Sequence, residues 1–338
     1  MKNYNVVSRN MKKIVGSEKL GLVIALIIMI IGFSVLTDNN YFTANNVINI
    51  LIASAIVGLV TIGESYLLIS GQVDLSPGSV AAFSGVLVTL LLSRGVVMWV
   101  AIPVVILSGI LIGFFNALMV TKLRFESFIA TLASMSIFRG FAYIICDGKS
   151  IFVTDTSFLK MGTGRILGVP IPVIICAAMF AVFGLILNRT KFGRSVYMVG
   201  GNAIAARLAG IKTVDVKVKL FMMTSAFAAL GGIILAARMS SGQPSASVGL
   251  EFDAVTACVL GGIAMSGGIG NLSGALIGLL IMQGFNNGLM MMNVQSFWQT
   301  VARGVLLIAA LAFDYVRNRQ REAKLNEHHP EKTGTDSL

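Results

Sequence analysis

Few residues in this chain could do chemistry within its apolar stretches. Glu64 and Arg139 are ionisable side chains set inside long hydrophobic runs, and Asp74 and Ser76 interrupt another run, as does Ser266 further on. An ionised group at the centre of a membrane-crossing helix costs about 2.5–3.5 kcal/mol on insertion scales, so each must serve a purpose. For Glu64 and Arg139 two readings stand, lining or gating a polar path, or a structural ion pair. Enzyme chemistry lacks its parts: the runs hold no paired carboxylates, no His/Cys constellation and no serine beside a base. The two histidines, His328 and His329, fall in a polar tail. Cys146, Cys176 and Cys258 have no metal-ligand spacing and read as small packing residues. The Met290-Met291-Met292 run reads as packing or lipid-facing material, so neither a catalytic residue nor a metal site is expected. A phosphate-cradling Gly-x-x-x-x-Gly-Lys-Ser/Thr loop is also lacking.

The elements that must position these residues are membrane-crossing helices. The chain has 338 residues, of which 56% are hydrophobic and 12% charged. A soluble domain carries about 25% charged residues. Ten apolar stretches are long enough to consider as spans: 20–36, 44–70, 79–93, 98–120, 126–146, 168–188, 220–237, 252–267, 272–290 and 298–315. The first has a basic segment before it and no small-residue cleavage site, so it reads as a retained span. The expected class is an all-α integral membrane protein of about ten transmembrane helices. Its parts are an N-terminal segment 1–19, a membrane domain 20–316 and a polar tail 317–338.

Charge distribution orients the bundle. The net charge of +11 comes from basic residues placed between apolar runs, with no basic groove or aromatic-basic module, so no nucleic-acid partner is expected. With the N-terminus inside, five Lys/Arg lie in 1–19, two at Lys122 and Arg124, seven in 189–219 and five in 316–338; the outer loops hold five. That bias is what the positive-inside rule requires, and it puts both termini in the cytoplasm. Gly109/Gly113, Gly274/Gly278 and Gly284/Gly288 have the spacing that lets helices approach closely. Packing within one subunit is favoured over a dimer seam.

Two segments break the run of plain helices: Gly71-Gln72-Val73-Asp74-Leu75-Ser76-Pro77-Gly78-Ser79 and Gly261-Gly262-Ile263-Ala264-Met265-Ser266-Gly267-Gly268. Aligned without gaps they share glycine at the first and eighth positions and serine at the sixth. Non-helical backbone at membrane depth survives only in protein or beside a water-filled cavity. Transporters with internal repeats place such breaks in corresponding halves beside the solute's route. The pair therefore reads as a possible internal repeat or as two tight turns. Asp74 either caps the restarting helix or touches the solute.

The loop 189–219 carries the chain's most telling local pattern. Asn202 is placed to cap a short helix over residues 203–209, with Gly210 as the residue beyond its end. Two turns are marginal alone in water, so this helix must dock on something. A plug for a partner's groove and an interfacial helix on lipid headgroups are both open readings.

The chain resembles the permeases of bacterial ribose, xylose, galactoside and related sugar ABC importers. The resemblance rests on the 71–79 segment, Ser127-Phe128-Ile129-Ala130-Thr131-Leu132, and Lys191-Phe192-Gly193-Arg194 followed by Gly200-Gly201-Asn202 and Ala205-Ala206. It continues through Gly249-Leu250-Glu251-Phe252-Asp253-Ala254-Val255, Val259-Leu260-Gly261-Gly262 and Ser266-Gly267-Gly268. These matches run in order from residue 71 to about 304. Glu126 departs from the family's usual proline, and Ala264-Met265 replaces a more polar pair. The resemblance implies a transport subunit with no bound cofactor, ATP and Mg belonging to a separate cytoplasmic ATPase subunit. That ATPase would grip a coupling helix made by Gly200, Gly201, Asn202, Ala205, Ala206, Arg207, Leu208 and Gly210. It also implies a periplasmic or lipid-anchored solute-binding protein, since the outer loops are too short to form one. Glu251 and Asp253 would either receive that protein or simply be solvated at the interface. Arg303, with Trp298, reads as an interface anchor. A second permease subunit, identical or closely related, would enclose the path, with alternating access in a bacterial inner membrane. The alternative reading is an ion-coupled secondary transporter, for which Glu64 is the one acid well inside a span.

Overall fold

The structure is a computed structural model and describes residues 20–328. The segment 1–19 and most of the polar tail, 329–338, lie outside the described residues. Thirteen helices are described: α1 (Leu20–Leu36), α2 (Ala44–Ile69), α3 (Pro77–Ser93), α4 (Met98–Thr121), α5 (Ser127–Ile144), α6 (Thr156–Thr163), α7 (Ile171–Arg189), α8 (Lys191–Gly201), α9 (Ala203–Leu208), α10 (Thr213–Met239), α11 (Leu250–Leu260), α12 (Leu272–Met291) and α13 (Ser296–His328). Two-residue strands β1 (Ile151–Phe152) and β4 (Ser241–Gly242) pair antiparallel, as do β2 (Arg165–Ile166) and β3 (Val169–Pro170).

Each of the ten apolar stretches contains a helix. Among the described residues seven helices are long and apolar enough to cross a membrane: α2, α4, α5, α7, α10, α12 and residues 296–316 of α13. α1 and α3 are apolar but shorter, and α11 has only 11 residues. The expectation of a span over 252–267 is corrected here. The helix ends at Leu260, because Gly262, Gly267, Gly268 and Gly270 all take positive φ, which only glycine does without strain. The expected loop 189–219 is also largely helical. α10 starts at Thr213, and α8 turns on Thr190, whose hydroxyl accepts a hydrogen bond from the Gly193 N–H at 3.1 Å.

α2 and α10 are the axis of the bundle. Gly63 of α2 faces Thr224 of α10 and Gly231 of α10 faces Ile56 of α2, so the two run antiparallel in close contact. They are also the most buried of the long helices. α3 and α4 pack on α10, α11 and α12 pack on α2, α5 packs on α3, and α13 packs on α11. Exchanging α2–α5 with α10–α13 leaves this packing scheme unchanged. Ser70-Gly71-Gln72 leaves α2, and Ser241-Gly242-Gln243 follows α10. The packing thus matches segment 70–78 to 241–249, and the expected pairing of 71–78 with 261–268 is not the one the elements follow. That resemblance came from turn-forming Gly and Ser, which both breaks need for their backbone geometry.

The three small-residue pairs all serve packing within the chain. Gly109 and Gly113 admit α10, Gly274 and Gly278 admit the end of α11, and Gly284 and Gly288 admit Met29 and Phe33 of α1. In lipid, where apolar burial drives little association, such close approach supplies the van der Waals contact that holds helices together.

Candidate functional site

The backbone leaves α2 at Gly71, which has φ 73°, and runs without regular secondary structure toward α3, buried from Asp74 on. Residues of α5 take up the hydrogen-bonding groups this segment exposes. The Val73 N–H donates to Ser127 Oγ at 3.3 Å and the Leu75 N–H to Thr131 Oγ1 at 3.0 Å. Asp74 is fully buried and folds the turn into α3: its Oδ1 accepts from the Ser76 N–H at 2.8 Å and from Ser76 Oγ at 2.6 Å. Asn116 of α4 donates to Ser76 Oγ at 2.9 Å and reaches Asp74 Oδ2 at 3.5 Å. The helix restarts at Pro77, two residues before the expected Ser79. These bonds hold the turn that leads into α3, whose N-cap residue is Ser76.

Glu64 stands apart from this network. It is fully buried on α2, and neither carboxyl oxygen makes a hydrogen bond. Its charged neighbours are Asp74 and Glu251, both acids. The Glu251 carboxylate lies against Gly78 at the start of α3, where any Cβ would strike it, and Glu251 is only 4% exposed. This corrects its expected place at the surface: Glu251 is turned inward and offers nothing to a docking partner. Glu251 Oε2 and Asn116 Oδ1 are buried without partners as well. Buried polar atoms are nearly always satisfied, so this group of orphans stands out.

Among the described residues Arg139 makes no ion pair. Its Nη1 donates to the carbonyls of Pro244 at 2.8 Å and Ala246 at 2.6 Å, in the segment after α10. Ser127, Thr131 and Arg139 share one face of α5, spaced by four and eight residues. At 1.5 Å per residue, Thr131 and Arg139 are about 12 Å apart along the helix. One helix therefore clamps the irregular segments that follow both axial helices. Asp253 pairs with Arg303 of α13 at 3.8 Å, which ties α11 to α13.

At the other end of these segments sits the α8–α9 pair. Gly200 of α8 lies so close to the Ile69 carbonyl and the Gly268 N–H that a Cβ there would strike both. The Gly268 N–H itself donates to the Ile69 carbonyl at 2.8 Å, and Gly267 abuts Gly71. The two glycine-rich breaks thus meet each other under α8. The Tyr197 hydroxyl donates to the Gly270 carbonyl at 2.8 Å, and burial holds that phenol above its usual pKa, so it stays a donor. α9 follows as expected: Asn202 Oδ1 accepts from the Ala205 N–H at 2.9 Å, and Gly210 has φ 82°. Ala206 is buried, whereas Ile204 and Leu208, four residues apart, are 75% and 84% exposed. Gly201, Ala205 and Arg207 are exposed too. Ser266 lies exposed in the turn beneath, at a distance in sequence and space from Asp74 that the backbone contact at Gly71 and Gly267 bridges.

Sequence reasoning missed α8, Asn116 and the clamp by Ser127 and Thr131. Two hydroxyls four residues apart on an apolar helix were the available signal, since such groups must find partners in lipid. Gly148-Lys149-Ser150 has the ending of a phosphate loop, but Tyr143 stands where the first glycine is needed, and Lys149 is exposed beside Asp147 at 3.9 Å. Among the described residues no group of three or more His, Cys, Asp or Glu side chains could hold a metal.

The model of the family "branched-chain amino acid transport system / permease component" matches residues 46–311. The chain is 37% identical over 304 residues to the L-arabinose transport system permease protein of Escherichia coli K12, covering 90% of this chain and 92% of the relative. It is 38% identical over 299 residues to the ribose import permease protein of Bacillus subtilis 168, covering 88% and 92%. The ribose import permease protein of Haemophilus influenzae is 37% identical over 302 residues, covering 88% and 93%.

Proposed function

Because the chain belongs to the branched-chain amino acid transport system permease component family, we propose that it is the membrane-spanning subunit of an ATP-binding-cassette importer for a monosaccharide. Relatives named for arabinose and ribose over nearly their whole length support the solute class. The observation that carries the mechanism is the α8–α9 pair, seated on both glycine-rich breaks and presenting Ile204 and Leu208 outward.

A separate cytoplasmic ATPase, holding ATP and Mg, takes α9 in a groove; Ala206 and Gly200 pass the push to the ends of α2 and of the α11–α12 turn. The 71–76 segment moves with them, and through Ser127 and Thr131 so does α5. Arg139 carries the movement to the 241–247 segment after α10. Glu64, Glu251 Oε2 and the Asn116 oxygen, all without partners, supply the polar stations, with Asp74 and Ser76 holding the turn beside them. Hydrogen-bonding groups without protein partners suit a hydroxyl-rich guest, since a site built this way rejects solutes that leave it unpaired. A binding protein delivers solute to the end bearing α6 and the two short strand pairs, and a second permease subunit closes the path. The two-fold exchange of α2–α5 with α10–α13 supports an internal repeat of the kind transporters use to alternate between states. With basic residues concentrated at the α8–α9 end, that end faces the cytoplasm of the inner membrane.

The test is reconstitution of the chain in vesicles with its ATPase and binding protein, measuring uptake of labelled L-arabinose and D-ribose. Uptake of one of them should require ATP and both partners. Uptake by the chain alone, driven by a proton or sodium gradient, would falsify the proposal and favour an ion-coupled transporter instead.

A further inference from the structure

A cleft of about 960 Å³ opens on the flank of the bundle, between α7 and α12, with α2 as its floor. Its walls are apolar along nearly the whole length: Ala55, Phe180, Ala181, Leu276 and Leu279 face it among others. The charged and amide groups gather at one end, where Asn188 and Arg189 close α7 and Ser273 opens α12; Ser54 of α2 is a hydroxyl toward the other end. Arg189 is exposed and makes no ion pair among the described residues, and Lys191 follows two residues on. From Val173 to Arg189 the cleft follows about 24 Å of helix, most of the roughly 30 Å hydrocarbon layer.

A long dry slot with a cation at one mouth has the outline of a phospholipid lying along a helix pair. A sugar path would need hydrogen-bonding groups along its length, and away from the Arg189 end these walls supply only the Ser54 hydroxyl and the Cys176 thiol. We infer that this groove binds an anionic phospholipid, its acyl chain between α7 and α12 and its phosphate on Arg189. Basic residues at the cytoplasmic mouth of an interhelical pocket are the physical basis for choosing anionic headgroups.

The experiment is native mass spectrometry of the purified full chain exchanged into mixed phosphatidylglycerol and phosphatidylcholine of identical acyl chains. One cation near a membrane surface is worth about 1 kcal/mol, so wild type should retain phosphatidylglycerol about fivefold over phosphatidylcholine. Arg189→Gln should erase that preference and Arg189→Lys should keep it. Gly184 lies on the cleft wall with open space where a Cβ would stand. Gly184→Phe should therefore fill the slot and lose both lipids without displacing a neighbour. Equal retention of the two lipids by wild type, or an unchanged preference in Arg189→Gln, overturns the inference. So does a Leu185→Cys variant that crosslinks two copies in native membranes, since that would put protein over the slot. None of these outcomes depends on whether the chain imports sugar.

Discussion

Gly200 contributes no side chain, and for that reason α8 can rest its backbone directly on Ile69 and Gly268. Adding one carbon there forces backbone against backbone, and no flexible side chain is available to give way. Overpacking of this kind costs about 1–3 kcal/mol. Gly201, the next residue, has open space at the same position. The pair makes an internally controlled experiment. Gly200→Ala should lower the melting temperature of the purified chain and cut ATP-driven uptake severely, while Gly201→Ala should leave both near wild type. Equal behaviour of the two variants would mean that the contact under α8 carries no force. The same scale explains why Glu64 and Asp74, both fully buried acids, differ in kind: Asp74 spends its carboxylate on a turn, and Glu64 has no hydrogen bond to spend.

At the scale of elements, α9 divides its residues between two tasks. Ala206 is buried and anchors the helix, whereas Leu208 is 84% exposed and touches nothing that folding requires. Leu208→Asp should insert and melt like wild type yet lose its ATPase on affinity purification. Ala206→Asp, by burying a charge, should lower the melting temperature as well. If Leu208→Asp still brought down the ATPase at wild-type yield, the coupling role of α9 would be lost. Much of this element was legible in advance, because a cap and a terminal glycine are local: Asn202 and Gly210 lie within one short helix. The apolar stretches were legible for the same reason, since hydropathy is summed over neighbours. What was not legible depends on partners remote in sequence. The end of α11 at Leu260 follows from glycines that any window would average with Val255 and Val259. Asn116 meets Ser76 across 40 residues, and Arg139 meets Ala246 across 107. No periodicity records such meetings. The likeness of 71–78 to 261–268 has a related cause: shared Gly and Ser report turn chemistry, while the packing correspondence follows which helices touch α2 and which touch α10.

Two uncovered helices, α5 and α7, differ in what lies behind them: α5 bonds the irregular segments after both axial helices. α7 turns Ile174, Val182 and Leu185 outward, large apolar side chains that lipid covers at no cost. α5 is equally uncovered, with 22% of its span buried, as in α7, and it too exposes large apolar side chains, Ile129 and Ile144 among them, with Ala133, Ser136 and the open Gly140 set between them. Small residues on a helix that also clamps the irregular segments are what a second helix packs against, because they let backbones approach. α13, the two-fold counterpart of α5, has the least buried span of all, 6%. A second copy seated across α5 and α13 would cover both and wall in the polar groups behind Arg139. Cysteine crosslinking in native membranes tests this arrangement with a built-in contrast. Ser136→Cys, with the three natural and buried cysteines left in place, should form a covalent dimer under mild oxidation, and Leu185→Cys should not. A dimer through residue 185 and none through 136 would move the partner to the α7 side. α5 would then be a lipid-facing helix, and the path would have to close within a single copy around α2 and α10.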